Sequence, residues 1–390
     1  MLPMSMSLVI LIGGWVVFVF WVAGVAPSLV SLLSRSLDSV VAKLEPPAVW
    51  PKVSIIVPAR DEAEKIEAAM RSKLAIDYPD FELLAVDDRS QDQTGVILDR
   101  LAAEDPRLCV IHLTSLPKDW LGKSHAMHVA ASRAQGEFVL FTDADVFFSP
   151  DLLRKAVTMC ERRGLDHLTL APWLVCRGFL EKALHAYFFV MLCIGAQPWL
   201  VRTGFRMSYL GMGAFNMVRR SAYERCGGHT AIRLDVLDDV KLGKLIKLSG
   251  LKQDALGANG GLSVQWQESF FGVIRGLEKN GFAIFDYSVV KLIAYSLIVV
   301  VLNLFPYAAI AIWPNVLGSG WLASVLFLHT GTALAARLLG TSPVVSVGLP
   351  VAVLALLYTM WRSAYLTLSR RGVRWRDTFY PLSVLRENVY

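Results

Sequence analysis

Asp143 and Asp145 stand one residue apart at the end of the apolar run Phe138-Val139-Leu140-Phe141. In a strand, residues i and i+2 share a face, so the spacing predicts two carboxylates projecting together, roughly 7 Å apart at their Cα atoms. Like charges at that range repel unless water solvates them or a cation lies between them. A wet turn and a metal site both fit, and hard carboxylate oxygens suit Mg²⁺ or Mn²⁺. Other acids follow the same habit of ending apolar runs. Asp61 closes "SIIVPARD", and with Glu64 three residues on it reads as a helix N-cap and its capping-box partner. Asp87 and Asp88 close "FELLAVDD" and fit ordinary turn acids. Asp238 and Asp239 precede an apolar helical pattern, as a plain helix cap would. Lys123 follows Gly122 at a predicted helix start, where a cation and free backbone N–H groups could together hold an anion; a surface lysine is the plainer reading. His125 and His128 share a helical face without a third ligand in reach, and are read as structural or lipid-facing.

These residues need a scaffold. Strands are predicted at 53–57, 81–88, 108–113 and 137–145, with helices at 62–75, about 92–104 and 122–136, the last closed by Gly136. Strands alternating with helices predict an α/β fold with a mostly parallel sheet. In such sheets ligands bind beyond the carboxyl ends of the strands, which is where Asp61, Asp87, Asp88, Asp143 and Asp145 fall. No GxGxxG follows the first strand, which disfavours a dinucleotide fold. Internal repeats and low-complexity tracts are absent.

The chain has 390 residues, of which 54% are hydrophobic and 18% charged. The two kinds are segregated. No charged residue occurs in 1–34, in 292–336 or in 338–361. A membrane span needs about 20 apolar residues. The pattern therefore predicts an N-terminal anchor over 1–35, a domain over 48–285 large enough for its own core, two to three spans within 286–366 and a basic tail over 367–390. A signal peptide is disfavoured because the stretch is long and lacks a positive start. Arg35, Lys43 and Lys52 follow the anchor and place the domain in the cytoplasm, on the inner membrane. Three C-terminal crossings would put the tail outside, yet Arg370, Arg371, Arg374 and Arg376 argue for inside; a re-entrant segment around Asn303, Pro306 and Pro314 would reconcile them. The short apolar stretch 186–201 is read as dipping into the interface, and 267–280 as an amphipathic surface helix. Five cysteines without CxxC spacing argue against a disulfide framework and against a zinc site. The net charge of +6 fits a protein against anionic lipid, and no nucleic-acid partner is expected.

Five segments, "SIIVPARDE", "AVDDRSQDQT", "GKSHAMHVAASRAQGE", "FTDADV" and "LDDVKLG", occur in the order found in glycosyltransferase family 2, which the chain resembles over roughly 52–250. "LPKDWLGKSHA", "GAFNMVRRSAYERCGGH" and "GVRWRDTFYPL" resemble membrane-bound lipid glycosyltransferases of the ceramide glucosyltransferase and hopanoid-associated type. The resemblance implies a GT-A fold, a nucleotide-sugar donor (a UDP-sugar foremost), a divalent metal and inversion at the anomeric carbon. Pro58, Ala59, Arg60 and Asp61 would then line the base pocket, and Asp87 and Asp88 would meet uracil and ribose. Lys123 would lie near the phosphates, and Asp143 and Asp145 would hold the metal against the diphosphate. The acid pair Asp238 and Asp239 would supply the catalytic base, the second acid taking the proton of an acceptor hydroxyl. The (Gln/Arg)xxRW motif of many relatives is missing. Gln265-Trp266 sits near its place, which leaves Trp266 as an acceptor-site guess and disfavours a processive polysaccharide synthase. The expected activity is transfer of one sugar to a lipid acceptor. A polyprenyl-phosphate sugar transferase is the alternative, for which Arg202, Arg206, Arg219 and Arg220 are available, and a non-catalytic membrane scaffold is the remaining one.

Overall fold

Strands β1 (Val53–Ala59), β2 (Phe81–Asp88), β3 (Leu108–Leu113) and β4 (Phe138–Phe141) form where expected and pair in parallel in the order β3-β2-β1-β4. The near-continuous buried runs of β1, β2 and β4 are those of strands covered on both faces, while β3, at the sheet edge, is half exposed. Alternate side chains serve opposite cores. Ile55 and Val57 enter one cluster with Leu83 and Leu140, and Ile56 enters the other with Val86 and Phe141.

The computed structural model describes residues 3–267, 269–375 and 378–387. Arg376 of the basic tail lies outside them. Beyond β4 come β5 (Val146–Phe148), β6 (His167–Ala171), β7 (Trp173–Leu174), β8 (Asn216–Arg219), β9 (Gln253–Gly257) and β10 (Leu262–Val264). β8, β6 and β9 extend the main sheet to seven strands, with β8 antiparallel to both of its neighbours. β5, β10 and β7 form a small second sheet.

The chain forms two compact units. One comprises 32–175 and 198–266 and holds both of these sheets; the other comprises 1–31, 176–197 and 267–390. The segments 32–47, 176–197 and 267–285 thus group differently from the expected 48–285 division. Among the described residues five helical stretches are long and apolar enough to cross a membrane: Met4–Ser34, Phe179–Ala196, Val289–Ile312, Val316–Leu338 and Pro343–Ser369.

Two of these differ from expectation. The short apolar stretch placed at 186–201 is instead an 18-residue helix, Phe179–Ala196, ending before Pro198. Chain connectivity keeps it from being a full crossing. β6 precedes it, β8 follows it, and the two strands hydrogen-bond to each other directly. A lone crossing between paired strands would put one sheet on both sides of a bilayer, and irregular backbone cannot return through lipid. In Val289–Ile312, Asn303 lies inside a π-helical turn, Val300–Leu304, rather than at a break. Pro306 has no N–H to give the carbonyl of Leu302 four residues earlier. Trp21 Nε1 donates to that carbonyl instead, at 3.1 Å. Asn303, only 2% exposed, accepts from the Tyr187 hydroxyl at 3.1 Å.

Candidate active site

The carboxyl ends of β1 and β2 are laced together. Ala59 sits opposite Asp87 in register. The loop that continues from Pro58 and Ala59 places Asp61 at φ 52°, and Arg89 after β2 has φ 58°. Left-handed backbone at two non-glycine residues is strain that the surroundings must hold. They do so with hydrogen bonds: Asp61 N donates to Ser90 Oγ at 3.1 Å, Gln91 N to Asp61 Oδ1 at 2.7 Å, and Glu62 N to Thr94 Oγ1 at 2.8 Å. Asp61 is therefore not the N-cap read from its spacing to Glu64. The helix starts later, at Ile66 behind Lys65, because Asp61 is committed to the neighbouring loop.

Asp87 and Asp88 diverge. Asp87 accepts from Ser90 N, and its other oxygen lies 3.0 Å from His112 Nδ1. His112 also reaches Asp99, and the two carboxylates, Asp99 foremost, raise its pKa. Asp88 forms a two-pronged ion pair with Arg89 at 2.7 and 2.9 Å. A Cβ on Gly122 would lie 2.5 Å from Asp88 Oδ2, so glycine lets this carboxylate approach the start of the helix Gly122–Arg133. That helix ends at Arg133 rather than being closed by Gly136. Gly136 instead lets its backbone approach Ser54, whose hydroxyl accepts its N–H at 2.8 Å. Trp120 stacks on His128 at 4.9 Å and meets His125 edge-on at 5.5 Å, which accounts for both histidines structurally.

Asp143 and Asp145 do not end a strand. β4 stops at Phe141, and 142–145 turn the chain from the main sheet into β5 of the small one. The strand alternation expected to align the two carboxylates is absent, and each has its own surroundings. Asp143 Oδ1 lies 2.8 Å from Lys123 Nζ, and its N–H donates to Gly213 O at 2.9 Å. Asp145 forms no ion pair with lysine or arginine among the described residues. Burial first, then Asp143 and Glu62, push its carboxyl up to about 6. A half-buried carboxylate without a close ion pair, beside Asp143, is a donor set that suits a hard divalent cation, so the residues fit the expected metal.

Asp238 and Asp239 begin the helix Asp238–Leu248 behind Leu237, in its first turn rather than at its cap. Acids there face the positive end of the helix. Asp238, 5% exposed, lies 3.3 Å from Lys123 Nζ. Asp239 Oδ2 accepts from Gly213 N at 2.7 Å and Oδ1 from Val240 N at 2.8 Å. Burial first, then Asp238, raise its pKa to about 6, while Lys123 opposes them. The Lys123 ammonium is held charged by Asp143, Asp238 and Asp239 against its burial. One cleft lined by Lys123, Thr142, Asp143, Gly213, Asn216, His229, Asp238 and Asp239 results. Neither Trp266 nor Asp145 is among its lining residues.

Gly213, Asn216 and His229 were not singled out from sequence. Gly213 ties Asp143 to Asp239 through its own carbonyl and N–H, and a Cβ there would come 2.6 Å from Asp143 Oδ2. Asn216 Nδ2 donates to Asp239 O at 3.4 Å. It also contacts buried His167, which accepts from Gln253 Nε2 at 2.7 Å, and Gln253 reaches Gly243 O at 3.0 Å. This buried polar chain fixes the Asp238–Leu248 helix to β6, β8 and β9. The signal available was the glycines Gly211, Gly213 and Gly243: the first and last allow a close backbone approach, and Gly213 makes room for the Asp143 carboxylate.

Residues 54–240 match the family model described as Glycosyl transferase family 2. That match takes in just under half of the chain. It is similar to 4,4'-diaponeurosporenoate glycosyltransferase of Staphylococcus haemolyticus, 24% identical over 233 residues that make up 58% of this chain and 60% of that protein. It is also similar to Beta-monoglucosyldiacylglycerol synthase of Synechocystis, 30% identical over 190 residues, 46% of this chain and 37% of that protein. The chain thus spans 37% to 60% of the length of these curated relatives. Among solved structures it is similar to the mannosyltransferase PcManGT from Pyrobaculum calidifontis in complex with GDP-Man and Mn²⁺, 20% identical, covering 91% of this chain and 98% of that one, with a TM-score of 0.47. At that TM-score the likeness decides nothing about this chain.

Proposed function

We propose that the protein is a metal-dependent, inverting glycosyltransferase that moves one sugar from a nucleotide diphosphate, a UDP-sugar foremost, to a hydroxyl of a lipid at the cytoplasmic membrane face. The observation that carries this is the convergence on Lys123. It links Asp143, from the turn after β4, to Asp238, from a helix about a hundred residues later. Gly213 links Asp143 to Asp239 in the same cleft. The printed names of the two relatives, a diaponeurosporenoate glycosyltransferase and a diacylglycerol glycoside synthase, support a lipid acceptor.

In this reading Pro58, Ala59, Arg60 and Asp61, with Asp87 and Asp88, hold the base and ribose on the laced loops of β1 and β2. Asp143 and Asp145 hold Mg²⁺ or Mn²⁺, which when bound neutralises the leaving diphosphate. Asp239 takes the acceptor proton. A carboxyl with a pKa of about 6 is ionised at neutral pH yet basic enough for the transfer. Its two backbone N–H donors fix its orientation. Trp266 remains the candidate acceptor-site residue, and 1–35, 48–285, 286–366 and 367–390 remain the proposed anchor, catalytic domain, spanning region and tail. The helix Phe179–Ala196 and the stretch 267–280 would dock at the lipid surface.

The phosphate-acceptor alternative needs uncommitted arginines. Arg219 is engaged by Glu137 and Glu161, Arg206 donates to Leu248 O and Arg220 to Ala134 O, which leaves Arg202 to serve that alternative. The test is mass spectrometry of lipids from cells with and without the gene. A glycolipid that disappears with the gene identifies sugar and acceptor; an unchanged lipid profile under expressing conditions contradicts the proposal.

A further inference from the structure

A second group of ligand-type side chains lies in the other unit, outside the cleft. Cys176, Glu181 and His185 bring one sulfur, one carboxylate oxygen and one imidazole nitrogen within 4.8 Å of one another. Among the described residues this is the one group of three such side chains so close together. Cys176 Sγ lies 3.4 Å from His185 Nδ1. Glu181 is 1% exposed and His185 3%, while Cys176 keeps partial access to solvent.

The sequence builds this group locally, as C-x₄-E-x₃-H. Glu181 and His185 are four apart on the helix Phe179–Ala196 and so share a face. Cys176 is brought back over that face by the turn into the helix. Glu181 Oε2 accepts from Arg177 N at 3.3 Å and Gly178 N at 3.1 Å, which fixes the turn. No lysine or arginine forms an ion pair with Glu181 among the described residues.

We propose that Cys176, Glu181 and His185 form a binding site for a soft divalent metal ion, Zn²⁺, separate from the acid cleft. The donor chemistry selects it: thiolate and imidazole favour zinc, whereas the carboxylates of Asp143 and Asp145 favour magnesium or manganese. The geometry agrees. With zinc–sulfur near 2.3 Å and zinc–nitrogen near 2.0–2.1 Å at a tetrahedral angle, sulfur and nitrogen stand about 3.6 Å apart, close to the spacing present. On binding, the Cys176 thiol loses its proton to solvent and a sulfur–zinc bond forms; water completes the fourth position. The ion would pin the turn 176–178 to the first two turns of the helix. This departs from the sequence expectation against a zinc site, which weighed CxxC spacing, because only one of these ligands is a cysteine.

The experiment uses the full chain in detergent, stripped with a chelator and then dialysed against Zn²⁺ or Co²⁺. The wild-type protein should retain one zinc at this site by elemental mass spectrometry, and the cobalt form should show a thiolate-to-metal charge-transfer band. Cys176→Ser and His185→Gln should each lose the zinc and the band, whereas Asp145→Asn should keep both. Zinc should raise the Tm of the stripped wild type and leave that of the two ligand variants unchanged. A wild-type cobalt form without a thiolate band overturns the site even if neither variant folds. Zinc retained in full by Cys176→Ser does the same. Because Asp145→Asn is read in parallel, loss of metal from the acid cleft is distinguished from loss here.

Discussion

Replacing Lys123 by Met removes the ammonium that stands between Asp143 and Asp238 in the cleft. At 2.8 and 3.3 Å the two attractions amount to roughly 6 and 5 kcal/mol at an effective dielectric of about 20, before desolvation is subtracted. The Asp143 leg is discounted, since 40% of that side chain is exposed. The Asp238 leg is not, since only 8% of that side chain is exposed. Breaking a buried pair typically costs about 3–5 kcal/mol, because the remaining charges stay buried without a partner. For a unit of this size about 1 kcal/mol moves Tm by roughly 2–4 °C, so the variant should melt about 6–20 °C below wild type in metal-free buffer. A divalent cation supplies positive charge to the same acids, so Mn²⁺ should raise the Tm of Lys123→Met more than that of the wild type. Intrinsic tryptophan fluorescence during heating, with and without Mn²⁺, reads both effects. A Lys123→Met protein that melts like wild type, or whose deficit Mn²⁺ does not reduce, refutes the reasoning that one shared charge holds the acids together.

Asp145→Asn should abolish metal-dependent nucleotide binding, measured by calorimetry, yet stabilise the fold. Its folded carboxyl pKa is raised from 3.8 to about 6, so ionisation costs stability as pH rises between those values; the variant should gain at most about 3 kcal/mol above pH 6 and nothing at pH 4. Gly213→Ala should cost about 1–3 kcal/mol in thermal stability and lower turnover, because the new methyl meets the Asp143 carboxylate. Lys73, 0% exposed, donates to Val146 O at 2.5 Å, and burial brings its pKa down to about 7. The fold prefers it neutral, so its contribution to stability is greatest above pH 10.5 and falls as pH drops towards 7. Lys73→Met should flatten the stability curve of the wild type across that window, as followed by denaturant titration at several pH values.

What was legible in the sequence was what hydrophobicity and turn chemistry write. β1, β2 and β4 announce themselves as apolar runs leading into acids and β3 as a shorter apolar run, and the parallel order follows from the helices between them. β6, β8 and β9 did not, because their register depends on buried polar side chains, His167, Asn216 and Gln253, that a hydrophobic pattern counts as surface. Asp61 and Glu64 had the spacing of a capping box. The bond from Gln91 N to Asp61 comes from a loop 30 residues away, and local spacing cannot show a tertiary competitor. Asp143 and Asp145 are legible by type but not by strand alternation, since the chain leaves the main sheet at 142–145 to pair β5 with the distant β10. Lys123 was noted for a helix N-terminus and an anion. Its actual neighbours are carboxylates from the turn after β4 and from Asp238, which no local rule brings together.

The most direct test of the central claim is sugar transfer by purified full-length protein in detergent with membrane lipid extract, Mn²⁺ and a panel of labelled nucleotide-sugars, comparing wild type with Asp239→Asn. The substitution keeps the shape and the acceptor oxygen for Gly213 N but cannot take a proton. General-base catalysis contributes about 10²–10⁴-fold, so labelled glycolipid formation should fall by that order while Mn²⁺-dependent nucleotide binding stays at the wild-type level. Wild-type transfer by Asp239→Asn, or no labelled lipid from the wild type with any donor that it binds, would contradict the account.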